Sequence, residues 1–479
     1  MALHPNQNHE PLPRPQDDYS AWYNRAIREA GFIDEGVTSG TWALMPPAAR
    51  IWNRIRAEMT QTMDDFGVDE VILPSLFPMS LLEKEKDHVE GFAPEVFTVT
   101  QAGDEIFEDP LVLRPTSEVV VSEYFKRWTQ SYRDLPIMIN QWGSVFRNEK
   151  RPRPFLRTTE FWWQEGHSVH ETSEGAAMHT LQMAQFYKET IGNLLSIYGF
   201  SGEKSEGEKF AGAKSTHTLE AIYGSKALQL ATSHNLGTTF SNAHGIRAVG
   251  RDGELAPVYQ TSWGSTTRMI GAMVMAHGDE KGVVLPPQIA PTQVTLIPAW
   301  RNEQDRGAVT EAMEQMRADI SARTTLVARG PKERIGGIRF SQEKMGTPLQ
   351  IIIGQRELDA RTATVHVRQS GENLSVPFDV LNDTTTALLD KIGLDMFDAA
   401  RERQESLVQE VGSVDEMAEA IDAGHFAKAG WNGTIADEKA LKQETGITLR
   451  VHLHNEANPM LPDPRNGKAG KVTLFAKSY

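Results

Sequence analysis

One stretch, residues 142–170, narrows the folds open to this chain more than any other: WGSVFRNEKRPRPFLRTTEFWWQEGHSVH. Two apolar, aromatic-rich segments flank a basic, proline-containing loop, which predicts a hairpin with an irregular loop. Arg147, Lys150, Arg151, Arg153 and Arg157 share that loop with the single acid Glu149, so it attracts phosphates. A basic loop alone reads most simply as a solvated charged turn. The flanks shift that balance, because Trp142, Phe146, Phe161, Trp162 and Trp163 supply surface on which a base can stack. Glu165 and His167 lie two apart, on the strand face of Trp163.

The chain has 479 residues, too many for one hydrophobic core, which stops growing at roughly 250–300 residues. With 39% apolar and 24% charged residues its composition is that of a globular protein. No apolar run approaches a membrane span, and residues 1–20, polar and proline-rich, lack the pattern of a signal peptide. They read as a flexible leader of a cytoplasmic protein. The chain contains no cysteine, which excludes disulfides, thiolate catalysis and Cys-ligated zinc. A net charge of -15 argues against a generally basic coat, but leaves room for a local basic strip that holds RNA.

Apolar residues at helical spacing (Ile51, Ile55, Met59, Met63, Phe66) predict a helix over 46–66, and a short buried strand follows at 71–73. The region 21–288 reads as one large domain around an antiparallel sheet. The proline-rich segment 286–291 marks a boundary. Beyond it, strands at 294–297, 325–328, 349–353 and 364–367, with helices at 302–322 and 384–392, predict an α/β domain over 289–393. The tail, 394–479, begins with a charged helix over 399–410 and ends in a strand at 472–475.

Three segments then carry a specific resemblance. Arg147-Asn148-Glu149, the loop, and Arg157, Phe161 and Glu165 resemble the second signature of class II aminoacyl-tRNA synthetases. The helix and strand ending at Pro74 resemble the first, dimer-forming signature. Trp263-Gly264-Ser265-Thr266-Thr267-Arg268 and the small apolar run to His277 resemble the third. All three stand in the family's order. Within the class, Arg114-Pro115-Thr116-Ser117-Glu118, Trp163-Gln164-Glu165-Gly166-His167, Lys209-Phe210-Ala211-Gly212, Ala231-Thr232-Ser233-His234-Asn235-Leu236-Gly237 and His277-Gly278-Asp279 are similar to segments of prolyl-tRNA synthetases.

The resemblance implies an α/β multi-domain chain: a class II antiparallel sheet with helices, an α/β anticodon-binding domain and a small α+β C-terminal module. It implies attachment of L-proline to its tRNA at the expense of ATP with Mg2+, by a homodimer. Proline would be bound by Phe92, Thr116, Glu118, Arg147, Trp163, Glu165, His167 and His234. ATP would be bound by Arg147, Glu149, Arg157, Phe161, Gln229, Thr232, Thr266 and Arg268, with Arg147 and Arg268 as catalytic groups. Glu220 is a candidate magnesium ligand, and Glu343 would accept from an anticodon guanine. Thr116 with Glu118 also reads as a helix-cap pair, and His234 as a core histidine.

The chain departs from the family in places. The short span between His167 and Trp263 leaves no room for an inserted editing domain, as in the archaeal and eukaryotic-like form. Positions that are basic in the family's anticodon segment read Met345 and Gln350. Asn432 and Asp437 stand where many relatives carry zinc-binding cysteines, so no structural zinc is expected; His452 and His454 with Asp437 are the one candidate metal set. Three rival readings are an inactive synthetase-like sensor of uncharged tRNA, a class II enzyme for threonine or serine, and a plain ATP-binding scaffold. Retention of Arg147, Arg157 and Arg268 argues against the first, the absence of cysteine against a threonyl site, and the ordered signatures against the third.

Overall fold

Apolar spacing over 46–66 produces the helix Pro46–Asp65 in a computed structural model that describes residues 11–84, 96–330, 333–454 and 459–479. Two prolines open it, where a missing N–H costs nothing, and Ile51, Ile55, Met59 and Met63 are buried along one side. The strand expected at 71–73 is found slightly earlier, at Asp69–Glu70. Its pairing reaches Val71, whose N–H donates to the Asn140 carbonyl at 2.7 Å. Pro74 follows three residues later and has no N–H to offer a further rung.

The aromatic segments form the predicted hairpin, Ile137–Phe146 against Glu160–His170, with the basic loop between them. Phe155 and Leu156 sink from the loop into the main core, and Tyr23 donates to the Pro154 carbonyl at 2.8 Å. The hairpin belongs to a large sheet. From the edge strand Asp69–Glu70 inward the order runs Ile137–Phe146, Glu160–His170, Tyr259–Thr266, Lys226–Gly237, Ser215–Tyr223, Phe200–Glu203, these six all antiparallel. The sheet then continues into the tail through Thr448–Leu453, Ala469–Ala476, Phe426–Trp431 and Val408–Glu410.

The second unit is a five-stranded sheet in which Val294–Ala299, Thr324–Leu326 and Leu349–Gly354 run parallel and Thr362–Val367 and Asn373–Pro377 return antiparallel. It encloses its own core around Leu296, Ile351 and Val365. Two readings change here. The helices expected at 384–392 and 399–410 are one helix, Leu381–Ser406, which passes through Gly393 without a break. Close packing accounts for this: a Cβ on Gly393 would sit 2.5 Å from the Gln288 side chain, so the glycine admits a neighbour rather than ending the helix. Of the leader expected over 1–20, residues 1–10 lie outside the described residues. Leu12 is buried in the main core, and the first helix, Tyr19–Glu29, is already capped by Asp18, which accepts from Ala21 N–H at 2.9 Å.

Among the described residues no helix is long and apolar enough to cross a membrane.

Candidate active site

Strand register builds the site. Side chains alternate across a strand, so residues directly opposed on neighbouring strands share a face. One such row crosses five strands: Gln141, Glu165, Gly264, Thr232 and Thr218. The next holds Ile139, His167, Ser262, His234 and Thr216. Over these rows opens a cavity of about 510 Å³, ample for a nucleotide and a small amino acid. Its lining includes Thr116, Glu118, Arg147, Glu149, Arg157, Phe161, Trp163, Glu165, Gln229, Thr232, His234, Thr266 and Arg268.

Arg147 enters from the first strand's end. Its Nε donates to the Pro115 carbonyl at 3.0 Å, and its guanidinium lies 5.3 Å from the Phe161 ring centre and 6.0 Å from that of Trp163. Arg268 is held twice, Nε to Leu156 carbonyl (3.1 Å) and Nη1 to Gln229 carbonyl (3.0 Å). Burial pulls its pKa down to about 10, so it stays charged at neutral pH. Thr266 Oγ1 accepts at 3.0 Å from the N–H of Arg268, the first residue of the helix Arg268–His277. Arg157 Nε donates to Glu149 at 2.9 Å and its Nη1 to the carbonyl of Tyr479 at 3.3 Å. The last residue of the chain therefore reaches into the cavity.

Opposite the guanidinium stands a nest of carboxylates. Glu118 opens the helix Glu118–Trp128 and accepts from the Thr116 hydroxyl. Thr116 and Glu118, which also read as a cap pair, bond each other and line the cavity, while Ser117 stands at the N-cap without a side-chain cap bond. Glu165 accepts from Ser117 Oγ and from Gln141 Nε2 through one oxygen, and its other oxygen meets His167 Nε2 at 3.2 Å. Burial disfavours charge on His167, but the hydrogen bond and field of Glu165, with Glu118, outweigh it and raise its pKa. Against the expectation that it lines the proline pocket, His167 is not cavity wall but a support behind Glu165. His234 is buried and stacked on Phe210 at 4.5 Å, with Nδ1 2.9 Å from Thr216 Oγ1; burial lowers its pKa to about 4, so it is neutral.

Other expectations change. The five aromatics do not make one surface. Phe161 and Trp163 face the cavity, whereas Trp142 packs on Trp52 and donates to Thr60 Oγ1 at 3.0 Å, and Trp162 is 46% exposed on the far face. Alternation along the strand requires that split. Glu220 has no oxygen left for magnesium. Arg450 binds it with a two-pronged fork (2.9 and 3.2 Å) and Lys204 Nζ lies 2.7 Å away. Burial pushes the Glu220 pKa up, but these cations outweigh it and hold the group below the usual range. His452, His454 and Asp437 do not converge: His454 meets His217 at 3.1 Å, His452 meets Thr473 at 2.7 Å, and Asp437 caps the helix Ile435–Thr445. Among the described residues no group of three His, Asp or Glu could hold a metal. Glu343 lies far along the chain in the five-stranded unit, 3.3 Å from His366. Phe92 lies outside the described residues.

Ser117, Gln141, Phe210, Lys204, Arg450 and Tyr479 were not assigned from sequence. Phe210 had a signal, since its segment matched a family motif. Ser117 too lay within a matched segment, and Arg450 and Tyr479 within a tail that resembles the family's C-terminal module, but neither signal gave a role; Gln141 and Lys204 had none, because their importance comes from pairing across long stretches of chain. Gly166 shows the same dependence: a Cβ there would lie 1.9 Å from the Trp263 ring, so only glycine lets the indole pass beneath the carboxylate nest.

A family description of the class II tRNA synthetase core domain (G, H, P, S and T) matches residues 97–277, and that of an anticodon-binding domain matches residues 293–387. Sheet, arginines and matched core together define a class II aminoacyl-tRNA synthetase. Over 484 aligned residues spanning all of both chains, the sequence is 39% identical to proline–tRNA ligase 2 of Clostridioides difficile. It is 40% identical to proline–tRNA ligase of Alkaliphilus oremlandii, again end to end, and 38% identical to that of Oceanobacillus iheyensis over 98% of each chain. The chain belongs to the proline–tRNA ligase family.

Proposed function

We propose that this chain joins L-proline to ATP as prolyl adenylate and then passes the prolyl group to the terminal ribose of its tRNA. One observation carries the reading. A guanidinium backed by Phe161 and Trp163 shares a cavity with a nest of acceptors, Glu118, Thr116 and Glu165. A cationic secondary amine with a carboxylate beside it, on a compact apolar ring, is complementary to both ends. The ammonium goes to the acceptors and the carboxylate to Arg147. Trp163 and the Phe210–His234 stack are the apolar surfaces for the ring.

The carboxylate oxygen attacks the α-phosphorus of ATP and pyrophosphate leaves. No side chain is needed as a nucleophile; positioning and charge stabilisation do the work. Arg147 neutralises charge building between carboxylate and α-phosphate. Phe161 stacks on adenine, Glu149 accepts from its amino group, and Gln229 and Thr232 lie toward the ribose. Arg157 and Arg268 bind the outer phosphates. For this, Arg157 must exchange its contacts with Glu149 and Tyr479 for phosphate. Mg2+, which the class uses with ATP, finds no carboxylate cage among the described residues, since Glu220 is taken. We therefore assign it no protein ligand and no step. The terminal ribose hydroxyl then attacks the prolyl carbonyl and AMP leaves. The five-stranded unit, with Glu343, reads the anticodon. A second copy covers Ile72, an apolar side chain 87% exposed just beyond the strand Asp69–Glu70. Such a protein works in the cytoplasm.

Exchange of labelled pyrophosphate into ATP, run across the small amino acids, tests the reading. Proline alone should drive efficient exchange, and Arg147→Ala should reduce it by about a thousandfold. Exchange driven by threonine or serine instead of proline would sink the function; robust exchange by the variant would sink the role of Arg147.

A further inference from the structure

Lys204, Glu220 and Arg450 form a charge cluster with side chains 3%, 0% and 8% exposed. Lys204 and Arg450 both line the reaction cavity. Arg450 comes from the tail, on the strand Thr448–Leu453, which joins the large sheet through His452 opposite Glu203 and Leu453 opposite Gly202. A single cation would neutralise Glu220. Two are present, so the cluster holds one positive charge in surplus. Glu208, also in the wall, acts on Lys204 from a distance and offsets the surplus only in part, being itself bonded to Lys442 at 3.3 Å. A buried surplus charge is costly unless an opposite charge arrives, and the open side of the cluster is the cavity.

We propose that Arg450 is a positioning residue of the reaction site: with Lys204 it fixes Glu220 and leaves a surplus positive charge in the wall that favours a polyanionic nucleotide over the empty cavity. The inference rests on the reading that ATP occupies this cavity. It makes the tail module a part of the active site. It also separates the two substrates, because the charge acts on the nucleotide and not on the zwitterionic amino acid.

Proline-dependent pyrophosphate exchange on the full chain tests it, with KM measured for each substrate. Arg450→Ala removes the surplus, and KM for ATP should rise about tenfold while KM for proline stays within about twofold. Adding Glu220→Gln restores the charge count, Lys204 alone supplying the surplus, and should bring KM for ATP back to within about threefold of wild type. A purely structural clamp predicts the reverse, since the double variant lacks both ends of the fork. Should Arg450→Ala melt too early to assay, Lys204→Gln decides: it removes the same charge without touching the tail, and the same split between substrates is expected. The proposal is overturned if KM for ATP is unchanged in a folded single variant, if both KM values rise in step, or if the double variant is no better than the single. Failure of the wild type to show proline-dependent exchange would instead strike the proposed function.

Discussion

The five-stranded unit and the tail module both follow the large sheet in the chain, but they are joined to it in opposite ways. Among the described residues no strand of the five-stranded sheet pairs with the large sheet. It closes its own core, and its ties are discrete: Arg368 forks to both oxygens of Asp279 at 2.7 Å, Val283 and Leu285 donate backbone bonds to Lys344 and Gly346, and the helix Leu381–Ser406 leads out of it. The tail instead extends the large sheet strand by strand. It adds Arg450 to the cavity, and Gln404 bonds both the N–H and the carbonyl of Ile222 at 2.9 and 2.8 Å. A unit with its own sheet and core can be perturbed largely by itself. A unit held by a shared sheet transmits its perturbation to the cavity, because packed strands cannot shift singly.

The strongest test of that contrast is acid. Burial holds His170 at about 3 and His179, His217, His234, His277 and His452 at about 4, all in the large domain or at the seam with the tail. The five-stranded unit has only His366, also lowered. Above pH 6.5 these rings are neutral in both folded and unfolded chains. As pH falls from 6.5 toward 4, the unfolded chain takes up protons that the fold refuses, so stability is lost, by roughly 3 kcal/mol for each ring that moves from 6.5 to about 4. Hydrogen exchange at pH 4.5 should therefore show Ser215–Tyr223 losing protection before Leu349–Gly354; the opposite order breaks the comparison.

Gly202→Val attacks the seam directly. Its Cβ would lie 1.9 Å from the His452 carbonyl oxygen, so the two strands must part. We expect a loss of about 3 kcal/mol in thermal unfolding, with proline-dependent exchange falling at the same time. Ile351→Ala is the control in the other unit. Ile351 is wholly buried, and its truncation costs about 3 kcal/mol within that unit. Charging of tRNA should fall while amino-acid activation stays within about twofold of wild type. A large fall in activation would show the units to be coupled after all. Ser205→Ala sharpens the seam at its smallest scale: Ser205 Oγ donates to Glu438 at 2.8 Å, and losing that bond should cost about 1 kcal/mol, or about 2 °C in melting temperature.

Much of this protein was already written in the order of its residues. Period-two spacing put Trp163, Glu165 and His167 on one strand face, and the basic run between two aromatic segments made a hairpin loop. Helical spacing set Pro46–Asp65, and the ordered signatures marked the arginines of the cavity. These are local signals, a few residues wide, and local sterics and burial suffice to read them. Alternation alone parts Trp162 from Trp163, but only the tertiary structure decided which of the two strand faces meets the cavity. It alone set the lateral register that aligns Gln141 with Glu165, Gly264 and Thr232, and it alone closed Glu220 to a metal by bringing Arg450 across from the tail. Register between strands and pairing of distant charges depend on the whole packed sheet, and no window of sequence contains both partners.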